Sequence, residues 1–272
     1  MKFNSQLNRI IEEKNSLVCV GLDLYPDRIP PQVLKGADPF FQFNKAIIDA
    51  TADLAAAYKP NLAFYEALGK EGMDVLRRTL EYIPGDVITI GDAKRGDIGT
   101  TAEKYAEALF DLGFDAVTVN PYLGLDSVKP FIADEEKGVF ILCLTSNPTS
   151  KDFQYLETDG RPLYLHVAEK VRQWNERGNC GLVTGATHPT ELRDIRTLAP
   201  DLPFLIPGIG AQGGDLQASI THGTDASGTG AVINSSRGIL YASSGEDFAE
   251  AARHAAEQLR DNINRHRDSL NR

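Results

Sequence analysis

Val87–Ala102 reads VITIGDAKRGDIGTTA, and the rest of the chain is organised around it. Val87, Ile88 and Ile90 form an apolar run bounded by Pro84-Gly85 and by Gly91. Its length and β-branched content are those of a buried strand. Asp92, Lys94 and Asp97 follow at once. In extended backbone, residues two apart share a face, so Asp92 and Lys94 are expected to project together from the strand's end. Asp97 comes one short turn later, ahead of a helical segment that Thr100 or Thr101 is placed to cap. Two carboxylates bracket one ammonium. On an open surface such a trio is a weak salt bridge. Its position at a strand end, and the polar residues that recur at the same end of other strands, make it a candidate site.

Outward from this strand the same unit repeats. The spacing predicts strands over Ser16–Asp23 (SLVCVGLD), Tyr58–Tyr65 (YKPNLAFY), Ala116–Asn120 (AVTVN), Gly138–Leu144 (GVFILCL), 181–184, 204–206 and 231–234. Helical patterns follow over about 39–57, 66–82, 100–112, 125–133, 162–177, 189–198, 214–222 and 246–265. Phe3, Leu7, Ile10 and Ile11 place one more helix ahead of them all, over 3–14. Residues 146–161 are polar and aperiodic and form the longest loop of the second half. Strict alternation of buried strand and helix demands parallel strands with right-handed crossovers. Eight units in about 250 residues is the size of a (β/α)8 barrel, the TIM-barrel architecture. The expectation is one such barrel domain over residues 1–272 with an extra N-terminal helix. An open doubly wound sheet has the same periodicity and stays the alternative.

Composition narrows the function classes. The chain has 272 residues, 42% hydrophobic and 24% charged, with a net charge of −10. That charge disfavours a broad nucleic-acid-binding face. No apolar stretch approaches the roughly 18–20 residues of a membrane span, and the polar start MKFNSQLNRIIEEKN does not read as a signal peptide. The three cysteines, Cys19, Cys143 and Cys180, sit in apolar runs with no Cys-x-x-Cys, so buried free thiols are expected rather than disulfides or zinc. A cytoplasmic protein is the simplest expectation.

In a (β/α)8 barrel the chemistry sits where strands end and loops lead to helices. The first predicted strand ends in Asp23, the second carries Lys59, the third delivers Asp92, Lys94 and Asp97, and the fifth runs into Thr145-Ser146. The seventh opens into PGIGAQGGD and the eighth into Ser235-Ser236-Arg237-Gly238. Backbone N–H groups of a glycine-rich loop and the donor fork of Arg237 suit a phosphate, and these two loops are this barrel's usual phosphate grip. Gly208–Gly213 also spells G-x-G-x-x-G. It falls in the seventh unit, and the next strand ends in Asn234 with no acid for a ribose, so a dinucleotide is not expected.

Asp92-x-Lys94-x-x-Asp97-Ile98-Gly99-x-Thr101 resembles the signature of the orotidine 5′-phosphate decarboxylase family. The resemblance extends through most of the chain, to GLD at Asp23, Lys59, PGIGAQGGD and the Arg237 loop. The Lys-Arg-Gly-Asp form of the motif and NSSRGILYA are similar to the family's longer bacterial branch, type 2. The resemblance implies a (β/α)8 homodimer that makes UMP with neither metal nor cofactor. It implies that Lys94 protonates C6 of the pyrimidine, with Asp92 beside the departing carboxylate and Lys59 reaching the ribose and Asp92. Asp97 and Thr101 would enter the partner subunit's site. Asp23 would bind ribose hydroxyls, Ser146 the pyrimidine edge, and Gln212 with Arg237 the phosphate, in the loop that holds Gly208 and Gly210. A sister branch acting on a keto-sugar phosphate with Mg²⁺ is similar at Asp-x-Lys-x-x-Asp but has glutamate where Lys59 stands. A non-catalytic sensor of a sugar phosphate would have no need of Lys94 between two acids.

Other polar and aromatic residues have plainer readings. His166, His222, His254 and His266 fall in or beside helices and are expected to be solvated, whereas His188 follows the sixth strand at the active end. Arg95 is expected to point away from Lys94 and pair with a nearby acid. Tyr164 and Trp174 lie on an amphipathic helix as core or interface residues.

Overall fold

The computed structural model describes residues 1–209 and 213–270. Eight parallel strands, β1 (Val18–Gly21), β2 (Ala57–Lys59), β3 (Ile88–Arg95), β4 (Ala116–Val119), β5 (Gly138–Leu144), β6 (Cys180–Thr184), β7 (Phe204–Pro207) and β8 (Ala231–Ser235), pair in sequence order. β1 pairs with β8, Val18 opposite Ile233, and closes the barrel. Closure excludes the open doubly wound sheet. Every residue of β1, β4 and β6 is buried. These strands are apolar apart from Thr118 in β4 and Thr184 in β6, because one face fills the barrel and the other meets helices.

The expected N-terminal helix is α1 (Phe3–Lys14), which packs across the amino-terminal ends of β5 and β6. The N–H of Phe3 donates to the Glu135 carbonyl and that of Asn4 to Gly178, and the Phe3 ring meets Phe140 edge-on at 6.1 Å. Around the barrel follow α2 (Pro39–Thr51), α3 (Gly69–Tyr82), α4 (Gly99–Asp111), α5 (Leu125–Val128), α6 (Leu163–Trp174), α7 (Pro189–Leu198), α8 (Leu216–Gly223) and α9 (Phe248–Leu270). Arg196 of α7 lies over the Phe204 ring, 3.6 Å from its centroid, and donates to the carbonyls of Ala199, Pro200, Leu202, Gly223 and Gly230. This one guanidinium ties together the segments that lead into β7 and β8.

Three local expectations are corrected. The strand expected over Tyr58–Tyr65 stops at Lys59, because Pro60 cannot donate to a ladder and Asn61 accepts from the Ala63 N–H at 3.2 Å, capping a helical turn over Leu62–Glu66. Neither Thr100 nor Thr101 caps α4; both already lie inside its first turn, and the cap position belongs to Ile98. Residues 146–161 are not structureless. They hold a 3-10 turn over Pro148–Asp152 and a hairpin pairing Glu157–Thr158 with Arg161–Pro162.

Candidate active site

At the carboxyl end of β3 the ladder with β4 shifts register between Gly91 and Arg95. Within that irregularity Lys94 adopts φ +48°, a left-handed conformation that costs a residue with a side chain about 1 kcal/mol. Neighbouring strands hold it there. The Lys94 N–H donates to Thr118 Oγ1 at 2.9 Å, the Asp92 N–H to the Pro60 carbonyl at 3.0 Å and the Asn120 N–H to the Arg95 carbonyl at 2.7 Å. Asp92 and Lys94 therefore meet as expected, through a bulge and not through plain two-residue alternation.

Three donors converge on the Asp92 carboxylate. Lys59 Nζ reaches Oδ2 at 2.9 Å, Thr118 Oγ1 donates to Oδ1 at 3.0 Å, and Lys94 Nζ also pairs with Oδ1. The side chains of Lys59 and Asp92 are 5% and 11% exposed, whereas Lys94 is 48% exposed. The buried pair is thus a foundation at the cavity wall, and Lys94 is the more exposed of the two ammoniums. Burial alone would raise the Asp92 carboxyl, but the charges of Lys59 and Lys94 outweigh it and hold it well below the usual carboxylate range. Burial opposes the charge on Lys59, and Asp92 with Asp23 overcomes that, so its pKa is raised. Beneath them, burial pushes the Cys19 thiol up to about 12, which leaves it no role as a nucleophile.

A cavity of about 540 Å³ opens over this cluster and is lined by Asp23, Lys59, Asp92, Lys94, Thr145, Ser146, Gly208 and Arg237. Asp23 is fixed by its carbonyl, which accepts from the Tyr241 hydroxyl at 2.8 Å. Its Oδ1 is buried with no hydrogen-bond partner among the described residues. Gly21 is dictated by close approach: a Cβ there would stand 1.9 Å from Ser236 Oγ, where β1 meets the loop after β8. At the far wall Gly208 has φ +104°, and no acid among the described residues pairs with the exposed Arg237.

Not every expected residue joins this cavity. Asp97 and Thr101 do not line it; Asp97 Oδ1 accepts from the Ile98 N–H, and Thr101 is exposed on α4. Gly210 and Gln212 lie outside the described residues. Arg95 turns away from Lys94 and pairs with Glu66, as expected. The sequence reading missed Thr118, Asn61, Tyr25 and Asn234, which also line the cavity. Thr118 carried one faint signal, a hydroxyl alternating with the valines of AVTVN at the height of Asp92.

This arrangement can hold a phosphate at one end, hydroxyls near Asp23, and a reacting carbon against an ammonium backed by a carboxylate. Comparison with known proteins shows what the whole chain is similar to. The family model described as "Orotidine 5'-phosphate decarboxylase / HUMPS family" matches residues 16–254. The chain is 54% identical over 249 residues to an orotidine 5'-phosphate decarboxylase of Dehalococcoides mccartyi, covering 90% of each. It is 50% identical over 250 residues to one of Ralstonia pickettii, covering 90% of this chain and 91% of that one. Among solved structures it is similar to the Leishmania donovani OMP decarboxylase, with a TM-score of 0.86 at 42% identity over 98% of this chain and 99% of that one.

Proposed function

The chain belongs to the orotidine 5′-phosphate decarboxylase family, and from that premise we propose how its site works. It is a carboxy-lyase that converts orotidine 5′-phosphate to UMP and CO₂, a step of pyrimidine synthesis. The observation that carries the reading is the exposed Lys94 ammonium seated on Asp92, itself anchored by buried Lys59. Losing CO₂ breaks the bond to C6 and leaves its electron pair on a carbon with no adjacent electron sink. Lys94 stabilises that charge and then gives C6 its proton; solvent returns a proton to the amine. Asp92 lies beside the substrate's carboxylate, and their repulsion is relieved as neutral CO₂ departs.

Arg237 and the Gly208 loop take the phosphate, with Gly210 and Gln212 proposed beside them. Asp23 and Lys59 take the ribose hydroxyls, and Ser146 takes the pyrimidine edge. Phosphate binding far from C6 supplies energy that positions the reacting carbon. No metal or cofactor enters the proposed step, and Lys59 in place of glutamate disfavours the Mg²⁺-dependent keto-sugar branch. Asp97 and Thr101 serve the site of a second copy in a homodimer. The exposed apolar residues Ile98, Tyr122 and Leu123 on the adjoining loops after β3 and β4, with Leu125 at the start of α5, support this. We place the enzyme in the cytoplasm; among the described residues no helix is long and apolar enough to cross a membrane. The test is the ultraviolet change as orotidine 5′-phosphate becomes UMP, followed with and without EDTA. Turnover indifferent to EDTA is expected; turnover abolished by EDTA and restored by Mg²⁺ contradicts the reading.

A further inference from the structure

The residue just before Ser146 is held in an unusual way. The backbone ladder of β5 ends with Gly185 N–H donating to the Leu144 carbonyl at 2.8 Å. At Thr145 side chains replace the neighbouring strand. Its N–H donates to Gln154 Oε1 at 2.8 Å, its hydroxyl accepts from Gln154 Nε2 at 2.9 Å, and its carbonyl accepts from His188 Nε2 at 3.1 Å. The hydroxyl proton goes to Asn147 Oδ1 at 2.6 Å. A backbone N–H only donates and a carbonyl only accepts, so these partners fix the amide orientation of Gln154 and the tautomer at Nε2 of His188.

Both clamping residues are themselves tied down. The Gln154 N–H donates to Ser150 in the 3-10 turn, and its carbonyl accepts from the Tyr164 N–H of α6 at 3.0 Å. With its proton on Nε2, His188 accepts at Nδ1, and the single phenolic proton of Tyr155 is shared between Nδ1 at 3.2 Å and Glu191 Oε1 at 2.9 Å. The loop after β5 thus folds back to grip the strand it left, and the loop after β6 grips it too, through His188 just ahead of α7. A site held by such outer partners loses rate steeply when they go, since a misplacement of about 1 Å costs roughly a hundredfold.

We infer that Gln154, seconded by His188, is a positioning residue that sets the Thr145-Ser146 strand end against the pyrimidine. The inference rests on the proposed site, and it makes the base end of the cavity separable from its phosphate end. Wild type, Gln154→Ala and Gln154→Glu are compared for kcat/KM on orotidine 5′-phosphate and for inhibition by UMP and by inorganic phosphate. Gln154→Ala is expected to lose about tenfold to a hundredfold in kcat/KM and a similar factor in UMP inhibition, with phosphate inhibition unchanged. Gln154→Glu keeps the acceptor for the Thr145 N–H and should recover most of the loss. Unchanged UMP inhibition in Gln154→Ala, or equal loss toward UMP and phosphate, overturns the inference. Should Gln154→Ala fail to fold, His188→Gln is read by the same two outcomes. A wild-type protein without turnover overturns the proposed site itself, a result distinct from either.

Discussion

Asp92 shows how burial and charge divide the work at one residue. Its carboxylate is costly to bury, and Lys59 makes that burial tolerable. Removing Lys59 strands the charge with only the exposed Lys94 and Thr118. Lys59→Ala should therefore destabilise the fold by about 3 kcal/mol in urea unfolding, besides impairing turnover. The pH dependence follows from the directions of the two shifts. The folded pKa of Asp92 lies below its unfolded value, so its contribution is complete above about pH 4 and is lost as pH falls through the folded value. The folded pKa of Lys59 lies above its unfolded value, so its contribution is complete below about pH 10 and is lost as pH rises through the folded value. In wild type the pair's contribution should be flat from about pH 5 to pH 9. The stranded Asp92 carboxyl of Lys59→Ala should take up its proton at higher pH, so the stability difference between the two should narrow as pH falls. A difference that does not narrow would mean Lys59 is not what holds Asp92 ionised. Asp92 and Lys94 were legible because charge at the end of an apolar strand is conspicuous. Thr118 was not, since a threonine inside a strand has the same β-branched shape as its buried neighbours.

At the scale of elements, the barrel's two ends do different work. The loops after β7 and β8 form the proposed phosphate grip. Arg237→Ala should raise KM by about tenfold to a hundredfold, with a much smaller effect on orotidine, which lacks the phosphate. Equal losses on both substrates would remove Arg237 from the phosphate. At the opposite end Arg196→Met should cost about 3 kcal/mol or more, because five carbonyls lose their donor while the Phe204 ring keeps a neighbour. Chemical denaturation measures it, and a loss below about 1 kcal/mol would show that water replaces the guanidinium. Most strands and helices were legible because burial on both faces writes continuous apolar runs. Leu62–Glu66 was misread because its apolar residues continue the preceding run past Pro60. The hairpin at Glu157–Pro162 was overlooked although Asp159-Gly160 is a turn signal, with φ of +51° and +72°. Its strands are too short and polar to show alternation.

For the whole molecule, the question is whether one chain holds a complete site. Asp97 and Thr101 stand outside their own cavity; in the proposed homodimer, in which Asp97 serves the partner's site, Lys94→Ala and Asp97→Ala should each be nearly inactive. After subunit exchange, mixed dimers carry both lesions in one site and neither in the other. With random exchange about half the dimers are mixed, and about a quarter of wild-type activity should return. No recovery after verified exchange would place Asp97 elsewhere while leaving the chemistry of Asp92 and Lys94 intact. Eightfold alternation and length pointed to a barrel, but an open doubly wound sheet has the same periodicity and only the pairing of β1 with β8 excludes it. A shared site likewise leaves no periodic trace in a single sequence.

The central claim is that Lys94, seated on Asp92, protonates C6 in decarboxylation of orotidine 5′-phosphate. The most direct measurement is single-turnover decarboxylation by Lys94→Ala beside wild type, with folding checked by circular dichroism and site integrity by UMP binding. Wild type should convert the substrate stoichiometrically to UMP, and the variant should bind UMP yet lose at least about a thousandfold in rate. A folded, UMP-binding variant that keeps more than about a tenth of wild-type turnover would contradict the account.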